Sequence, residues 1–557
     1  MDLLGQPRLN LDILRLTCNY LTDVPDVLSF ALTCSALTED AFRRRLSMSP
    51  IKLADAESVH SFHTFIFSNE LGRAPFIYGL ELGGLLFEDV EEDDPELQTV
   101  NNRLVAILQA ASHIQYLRFP SDTTLDPVFA AAANATTLRE VCMVFVSSME
   151  PSWKLLPTFR SPLRSLRIDK NFKTCEYLYA DILSDTMTTL APTLEVLDLF
   201  ELGLAADMLP SSVSTQFTAV RSLTIGEIFS FKGPEVQVLL RLFPNLSDTL
   251  TLVEMFTGAA GERDHATAWE RSKEAQQTNT NTWPRLDRLV CYPECAFLMA
   301  LQCPIRRMDV TVPDNHGRRY LAPVLRDNCP RHLQLFCCAP FSNGLDDVDG
   351  LFPPPGFADP LTHLAMLADF HVPYGWNGKD NLDNLLAADK LVESVKHLSL
   401  THLRLVLHFS VRTWRTPDGS VIEEDPLNIA GDSDLYPIAL RLVDAIPSLQ
   451  YIFLTACGNP YAPDTRSRNA PADLGCATRT PKKWHASKSW RVPVGIHEPL
   501  PENRQSSLAS QSNAGLSDGR GQCTWVELGW AAAERVIAQE ELHLDPRQEW
   551  TVKQCRD

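Results

Sequence analysis

A short pattern of hydrophobic positions, Leu-x-x-Leu-x-Leu with other apolar residues also at the leucine places, recurs along most of the chain. The first five copies begin at residues 114, 138, 163, 194 and 220, so they are 24, 25, 31 and 26 residues apart. A step of this size is typical of solenoids, in which each unit buries its apolar face only against its neighbours. Side chains of a strand alternate between two faces, so we expect the apolar positions to point inward. The ten copies occupy residues 114–119, 138–143, 163–168, 194–199, 220–225, 286–291, 305–310, 361–366, 395–400 and 449–454.

Helix-forming segments lie between these predicted strands, at residues 102–111, 125–133, 175–190, 234–243 and 437–446. A strand and a helix in about 25 residues indicate an α/β fold, a curved parallel sheet with outer helices, which resembles the leucine-rich repeat. The copies become irregular after residue 230. There, residues 250–252 are interpreted as a broken copy, and residues 258–282, 346–359 and 413–434 are expected to be insertions.

The first 46 residues predict a compact unit of three helices. Asn10 or Asp12 can start the first helix, which runs to about Leu21. Asp26 is predicted to cap the second helix and Thr38 the third. A helix that is apolar over a wide arc is expected to have neighbours on more than one side. The first helix has two such apolar stripes, one of Leu9, Ile13, Leu16 and Tyr20 and the other of Leu14, Cys18 and Leu21.

This N-terminal unit resembles the F-box, the short helical motif that docks a protein onto the S-phase-kinase-associated adaptor of cullin ubiquitin ligases. Leu9 takes the leading leucine of that motif, Asp12 its acidic position and Leu21 the leucine that ends the helix. Asn10, Thr17 and Leu37 stand where the motif usually has a proline, an isoleucine and an aromatic residue. The resemblance implies that the adaptor-binding residues are Leu9, Asp12, Ile13, Leu14, Leu21, Val27, Leu28, Leu32 and Cys34.

An F-box followed by leucine-rich repeats is similar to one family of ligase subunits. The resemblance implies a substrate-recognition adaptor of an SCF-type ubiquitin ligase, with the S-phase-kinase-associated adaptor, the cullin scaffold and an unknown protein substrate as partners. A second hypothesis is a leucine-rich-repeat scaffold with no ligase link, and a third is an enzyme hidden in the insertions after residue 230. A three-helix unit cannot bury all its apolar surface alone, so the exposed residues either bind a partner or pack on the first repeat.

The composition divides the chain into four predicted domains. Residues 1–48 form the F-box-like helical domain and residues 49–457 the leucine-rich-repeat-like solenoid with insertions. Residues 458–522 are rich in Pro, Gly, Ser and Arg, which is typical of a flexible linker. Residues 523–557 are predicted to form a C-terminal helix and tail.

Charge and hydropathy limit the classes of partner. The 50 Lys and Arg against 70 Asp and Glu give a net charge of −20 near neutral pH. Such an acidic chain repels phosphates, so we expect no nucleic-acid partner. No stretch approaches the roughly 18 apolar residues of a membrane span, and the N-terminus lacks the pattern of a signal peptide. We therefore expect no membrane association, reduced cysteines, and a location in the cytoplasm or the nucleus.

Motifs that carry chemistry are weak, and none predicts a catalytic residue, a cofactor or a metal site. The G-x-S-x-G of residues 515–519 has loop-like neighbours instead of the strand and helix that a nucleophile elbow needs. Cys291 and Cys295 have the spacing of half a zinc site, but no second half follows, so buried thiols are expected. The chain is therefore expected not to be an enzyme.

One basic segment and several histidines are further candidates for binding nucleic acid and metal, respectively. Residues 466–491 carry Trp484 and Trp490 among basic residues, a composition that suits single-stranded nucleic acid. We favour a charged linker leading into a last strand. No carboxylate lies at the spacing of a metalloprotease site from the clustered histidines. We therefore expect these to be packed or surface histidines, at His60, His63, His397, His402 and His408.

Overall fold

The structure is a computed structural model, and its described residues fall into two compact units, Met1–Leu286 and Asp287–Asp557, each treated by itself below. Among the described helices, none combines the length and the hydrophobicity that a membrane crossing needs. The described residues are 10–68, 72–83, 94–121, 125–145, 156–170, 183, 187–199, 215–225, 236–252, 262–278, 282–313, 315–337, 351–356, 360–372, 389–412, 435–461, 484–492 and 525–556.

The first unit begins with three helices, α1 (Leu11–Tyr20), α2 (Val24–Thr33) and α3 (Ser35–Met48). Asn10 caps α1 as predicted, because its side chain accepts a hydrogen bond from the backbone N–H of Asp12. The three helices pack around a small core of Cys18, Val27, Ala31 and Ala41.

Two predicted helix starts were wrong. Asp23 occupies the N-cap of α2 instead of Asp26, because Pro25 is accommodated in the first turn, where its missing N–H needs no partner. Thr38 lies inside α3 and does not cap it. Its hydroxyl donates to the carbonyl of Ala31, so it ties α3 to α2.

Eight parallel strands follow in the first unit, and their order in the sheet is their order in the chain. The five regular copies of the repeat form β3 to β7, so this part of the prediction is confirmed. Leu197 and Leu199 of β6 are buried, whereas Val196 and Asp198 between them are half-buried, as the alternation requires. The strands are β1 (Ile51–Leu53), β2 (Gly79–Leu82), β3 (Tyr116–Ser121), β4 (Glu140–Phe145), β5 (Ser165–Lys170), β6 (Val196–Leu199), β7 (Ser222–Ile225) and β8 (Thr249–Leu252).

The helices of this unit fill the connections between strands. They are α4 (Ala56–Phe67), α5 (Pro95–Ala110), α6 (Asp126–Ala133), α7 (Val236–Leu242) and α8 (Glu262–Thr278). Helix α5 covers the predicted helix 102–111 and begins earlier, because Asp94 caps it and Pro95 fits its first turn. Most of the predicted helix 175–190 lies outside the described residues. The predicted insertion 258–282 contains α8, so it is not simply a loop.

The second unit repeats this scheme with longer strands. Strands β9 to β16 again follow chain order, with β10 to β14 parallel and the last two pairings antiparallel. The strands are β9 (Leu286–Cys291), β10 (Ile305–Val312), β11 (His332–Cys337), β12 (His363–Val372), β13 (His402–Arg412), β14 (Tyr451–Tyr461), β15 (Trp484–Arg491) and β16 (Val526–Glu527). Its helices are α9 (Pro293–Met299), α10 (Asn315–Asn328), α11 (Asp389–Val395), α12 (Tyr436–Ala445), α13 (Trp530–Gln539) and α14 (Pro546–Arg556).

One predicted strand was wrong, and four others, β1, β2, β11 and β16, were not predicted. Residues 395–400 form the end of α11 and the turn after it, and the strand β13 follows at His402. The same hydrophobic spacing recurs one step later, with Leu400, Leu403 and Leu405 all buried. Strands β2 and β11 escaped the prediction, although residues 77–82 have the full repeat spacing. Local spacing alone does not distinguish the copy at 395–400 from the copy at 400–405, because both place apolar residues at the same intervals.

Candidate binding surfaces

The two apolar stripes of α1 have opposite environments. Cys18 is fully buried, and Leu14 and Leu21 of the same stripe are half-buried against the other helices. Ile13 and Leu16 of the other stripe are exposed. The same holds for Tyr20, whose surface is 76% accessible. The helix therefore presents one apolar stripe to its neighbours and leaves the other uncovered by the described residues.

Helix α2 shows the same division. Val27 and Ala31 lie one turn apart and are buried in the helical core. Leu28 and Leu32 are also one turn apart and point outward, and Leu32 is 89% exposed. Burying a large apolar side chain of this kind against a partner stabilises the complex by about 1.5–3 kcal/mol relative to leaving it in water.

The residues that the F-box resemblance assigns to adaptor binding fall into three groups. Asp12, Ile13, Leu28 and Leu32 are exposed. Leu14, Leu21 and Cys34 are half-buried, and Val27 is in the interior. Leu9 lies outside the described residues.

The three departures from the F-box pattern have local structural explanations. Asn10 serves as the N-cap of α1. Leu37 is 1% exposed, so it stands at a core position of α3 where a leucine is readily packed. Thr17 is exposed on α1, and its hydroxyl donates to the carbonyl of Ile13. The substitution at Thr17 removes apolar area from the exposed side of the helix.

Charged residues border the exposed stripe of α1. The guanidinium of Arg15 lies 3.4 Å from a carboxylate oxygen of Asp12 and 3.0 Å from one of Asp40. The guanidinium of Arg44 donates to the carbonyl of Leu21 at 2.9 Å, which fixes the end of α1 against α3. An apolar centre with a polar edge is the usual composition of a protein–protein interface.

The outward-facing strand positions differ between the two units. In the first unit, Arg167, Asp198 and Thr224 are half-buried. In the second unit the equivalent positions of β10 to β14 are buried, for example Asp309 and Arg404. The reason is that the C-terminal helices α13 and α14 pack on this face. Their apolar residues Ala533, Ile537, Leu542, Leu544, Val552 and Cys555 form one cluster with Ala365, Leu367, Val406, Phe453 and Cys457 of β12 to β14.

Ion pairs hold the C-terminal segment to the same face. The guanidinium of Arg404 in β13 binds both carboxylate oxygens of Glu549 in α14, one of them at 3.1 Å, and donates to the carbonyl of Leu542 at 3.0 Å. Arg306 in β10 donates to the carboxylate of Glu541 at 2.9 Å. Burial raises the pKa of Glu549, but the contact with Arg404 outweighs it and the net shift is downward.

Three histidines stack at the start of successive strands in the second unit. His332, His363 and His402 are register partners, and their ring centroids are 4.1 and 4.4 Å apart with nearly parallel planes. Tyr451 of β14 continues the stack at 4.9 Å. Burial, with a smaller effect of the neighbouring His363, lowers the pKa of His332 and of His402 to about 4. These rings are therefore uncharged near neutral pH.

Glu540, at the end of α13, reaches this stack. Its carboxylate lies 3.1 Å from Nε2 of His363. One nitrogen from each of His363 and His402 and one oxygen of Glu540 lie within 4.8 Å of one another, a set that can hold a metal ion. From the sequence, His402 is expected to be a packed or surface histidine, with no link to His363 or Glu540. A usable signal existed, because the Thr-His pair recurs at 362–363 and 401–402 at the start of two strands.

A second polar cluster lies further along β12 and β13, on the same face of the sheet. Nδ1 of His408 is 2.9 Å from the carboxylate of Asp369, beside the buried thiols of Cys457 and Cys555. Burial lowers the pKa of His408, but the hydrogen bond to Asp369 outweighs it and raises the pKa to about 9. The hydrogen bond to Cys555 and burial both raise the pKa of the Cys457 thiol. A protonated imidazole beside a protonated thiol is unsuited to nucleophilic catalysis, which needs a thiolate and a free base.

The cysteines considered as zinc ligands and His397 have packing roles in the structure. Cys291, Cys295 and Cys303 are buried free thiols, as expected, and burial raises their pKa values. His397 contacts the carbonyl of Pro353 at 2.8 Å.

Trp490 of the basic segment is 5% exposed and lies in β15 near Tyr436 and Trp525, so it packs inside the unit. His60 is exposed, and His63 packs against Phe67. Residues 466–483 and 515–519 lie outside the described residues.

Comparison with known proteins adds little to these observations. No model of a known protein family matches the sequence, and no curated protein matches it. Among solved structures, the chain is similar to the crystal structure of the Rad7 and Elc1 complex in yeast, at 12% sequence identity and a TM-score of 0.29. The alignment covers 73% of this chain and 90% of that chain. A likeness at this level carries no argument about function. The structure itself defines the class as a mixed α/β protein with a parallel sheet built in chain order, as a repeat solenoid requires.

Proposed function

We propose that the chain is the substrate-recognition adaptor of an SCF-type ubiquitin ligase, with no catalytic activity of its own. The three N-terminal helices bind the S-phase-kinase-associated adaptor, and the repeat region binds a protein substrate. The cullin scaffold is reached through the adaptor. The observation that carries the proposal is the uncovered apolar surface of α1 and α2, formed by Ile13, Leu16, Tyr20, Leu28 and Leu32, which we call the docking surface.

The docking surface supports a binding role because its apolar residues are concentrated in one small unit. Single exposed leucines are common on soluble proteins and need no explanation. Here two adjoining helices each carry an outward stripe in addition to the inward stripe that forms the core. Apolar residues at helical spacing, bordered by charges such as Asp12 and Arg15, fit the helix-in-groove mode of recognition.

The substrate surface follows from the difference between the two units. Several outward strand positions of the first unit, at Arg167, Asp198 and Thr224, are half-buried, whereas those of β12 to β14 in the second unit are covered by α13 and α14. A substrate therefore binds the first unit directly or displaces the C-terminal helices from the second. Arg167, Asp198 and Thr224 are the first residues to substitute when a substrate is found.

The direct test is binding of the full chain to the purified adaptor, measured by calorimetry. We expect Leu32→Asp to abolish binding, because it places a charge at the most exposed apolar residue of the docking surface. Thermal stability should stay within about 0.5 kcal/mol of the wild type, as is usual for exposed positions. Leu440→Asp is the matched control, since Leu440 is an exposed leucine on α12, in the second unit.

A gain of affinity tests the resemblance more strictly. Thr17→Ile restores the residue that the F-box pattern usually has, on the exposed side of α1. If this side contacts the adaptor, the added apolar area contributes about 1 kcal/mol, or about fivefold tighter binding. Failure of the wild type to bind the adaptor, together with no effect of Thr17→Ile, would refute the ligase role. The second hypothesis, a repeat scaffold with no ligase link, would then stand.

A further inference from the structure

His363, His402 and Glu540 come from three separate elements and meet at one point. His363 starts β12, His402 starts β13, and Glu540 follows the last residue of α13. One potential ligand atom from each lies within 4.8 Å of the other two. Both histidines are buried, and Glu540 is half-buried, so the cluster has an opening to solvent on the carboxylate side.

The threonines next to the two histidines determine which ring nitrogen is free. Oγ1 of Thr401 donates to the carbonyl of Thr362 at 3.1 Å and lies 2.9 Å from Nδ1 of His402. A hydroxyl has one hydrogen, so with that hydrogen on the carbonyl it accepts from Nδ1–H of His402. The ring then keeps its proton on Nδ1 and has a free lone pair on Nε2.

The same arrangement recurs one strand away. Oγ1 of Thr362 lies 2.8 Å from Nδ1 of His363 and 3.4 Å from the carbonyl of Arg331. With the proton of His363 on Nδ1, its Nε2 lone pair faces the carboxylate of Glu540 at 3.1 Å. Two electron-rich atoms at this distance repel each other unless a proton or a metal cation lies between them. Outer hydrogen bonds of this kind are those that orient metal-bound histidines in proteins.

We propose that His363, His402 and Glu540 form a binding site for a single divalent transition-metal ion of the zinc class. Two imidazole nitrogens and one carboxylate oxygen are ligands that Zn²⁺ takes in proteins, with a fourth position left for water. Tetrahedral ligation requires about 3.3 Å between ligand atoms, so the most distant pair must close by at most about 1.5 Å. The rings of His363 and His402, which are nearly parallel in the stack, must also tilt toward each other so that both lone pairs meet the ion. Glu540 can supply part of this movement because its side chain is long and half-exposed at the end of α13.

The site would fasten the C-terminal segment to the sheet of the second unit. Two of its ligands belong to adjacent strands and the third to the segment that covers their outward face. The ion thus joins residues 177 positions apart in the sequence, His363 and Glu540. The inference does not depend on the proposed ligase role, since it concerns only contacts within the second unit.

The test is Zn²⁺ titration of the full chain after dialysis against a chelator, by calorimetry, with Co²⁺ absorption as a report of tetrahedral ligation. We expect the wild type to bind one equivalent of Zn²⁺. In Glu540→Gln and in His402→Ala, the affinity for this equivalent should fall by more than about 100-fold. Thr401→Val should lower the affinity by about 10- to 100-fold, because it removes only the partner of Nδ1. His397→Ala is the matched control and should bind as the wild type does.

Two results would overturn the proposal. One is a wild type that takes up no tetrahedral Co²⁺ and no Zn²⁺. The other is an equivalent that is bound equally well by Glu540→Gln, which would place the ion elsewhere. Glu540 is the decisive position because its half-exposed side chain can be substituted without disturbing the histidine stack. Far-UV circular dichroism of each variant separates loss of the site from loss of the fold.

Discussion

The ion pair between Arg404 and Glu549 offers a sharp test of how the C-terminal segment is held. The side chain of Arg404 is 7% exposed and that of Glu549 16%. Replacing Glu549 by alanine leaves the guanidinium in a buried position with only the carbonyl of Leu542 as acceptor. It also removes the carboxylate that accepts from the backbone N–H of Leu544 at 3.0 Å.

The magnitude follows from the cost of an unpaired buried charge. Breaking a buried pair by removing one partner costs about 3–5 kcal/mol. Removing both partners, as Arg404→Met with Glu549→Leu, should cost much less, because similar-sized apolar residues avoid the desolvation of the charges. The control is the exposed pair of Lys488 and Glu527, whose disruption should cost at most about 1 kcal/mol.

Hydrogen exchange of the backbone amides in residues 530–556 is the appropriate measurement, because it reports local opening of this segment. A loss of about 3–5 kcal/mol corresponds to exchange faster by about 100-fold to a few thousand-fold. If Glu549→Ala leaves the exchange of α14 within about threefold of the wild type, the ion pair does not hold the segment. A double variant as unstable as the single one would also contradict the reasoning, since the unpaired charge would then not be the cause.

Two further predictions concern other places in the chain. The pKa of His408 is raised to about 9 in the folded protein, so its contribution to stability is complete below about pH 6.5 and is lost as the pH rises through 9. The urea midpoint of unfolding should fall between these pH values, and the fall should be smaller in Asp369→Asn than in the wild type. An equal fall in the two proteins would exclude the hydrogen bond between His408 and Asp369 as its source. In β2, a Cβ added to Gly79 would lie 2.7 Å from the carbonyl oxygen of Tyr116, a backbone atom that cannot move aside. Gly79→Ala should therefore cost about 1–3 kcal/mol by thermal unfolding, and Gly529→Ala, where the added atom meets nothing within 4 Å, should cost clearly less; equal losses would show that crowding is not responsible.

The helical start of the chain shows where sequence reasoning succeeded and where it stopped. The two stripes of α1 were visible as residues three and four apart, and Asn10 was recognisable as a cap. Which stripe faces inward was not predictable, because both are equally apolar. The positions of α2 and α3 decide it, and they enclose Cys18 rather than Leu16.

The repeat strands show the same limit. The regular spacing from residue 114 onward predicted parallel strands with alternating burial. Strands β3 to β7 are parallel, and burial alternates in β5, β6 and β7, whereas in β4 the outward Cys142 is also buried. At residues 395–405, two overlapping copies of the pattern competed, and only the pairing of β13 with β12 selects the later one. The two copies begin five residues apart, at 395 and at 400, so each has acceptable local spacing but only the later one fits the register with β12.

The spacing within the regular repeats was therefore sufficient to predict the strands β3 to β7, their parallel order and the inward face of their leucines, because these depend on residues within one repeat. The tertiary structure alone decided that α13 and α14 cover the second unit and that Glu540 meets His363 and His402. These contacts join segments far apart in the sequence, 177 residues for His363 and Glu540, and they depend on where the intervening strands place each backbone. No periodicity records that placement, so the candidate metal site and the covered face emerged only from the fold.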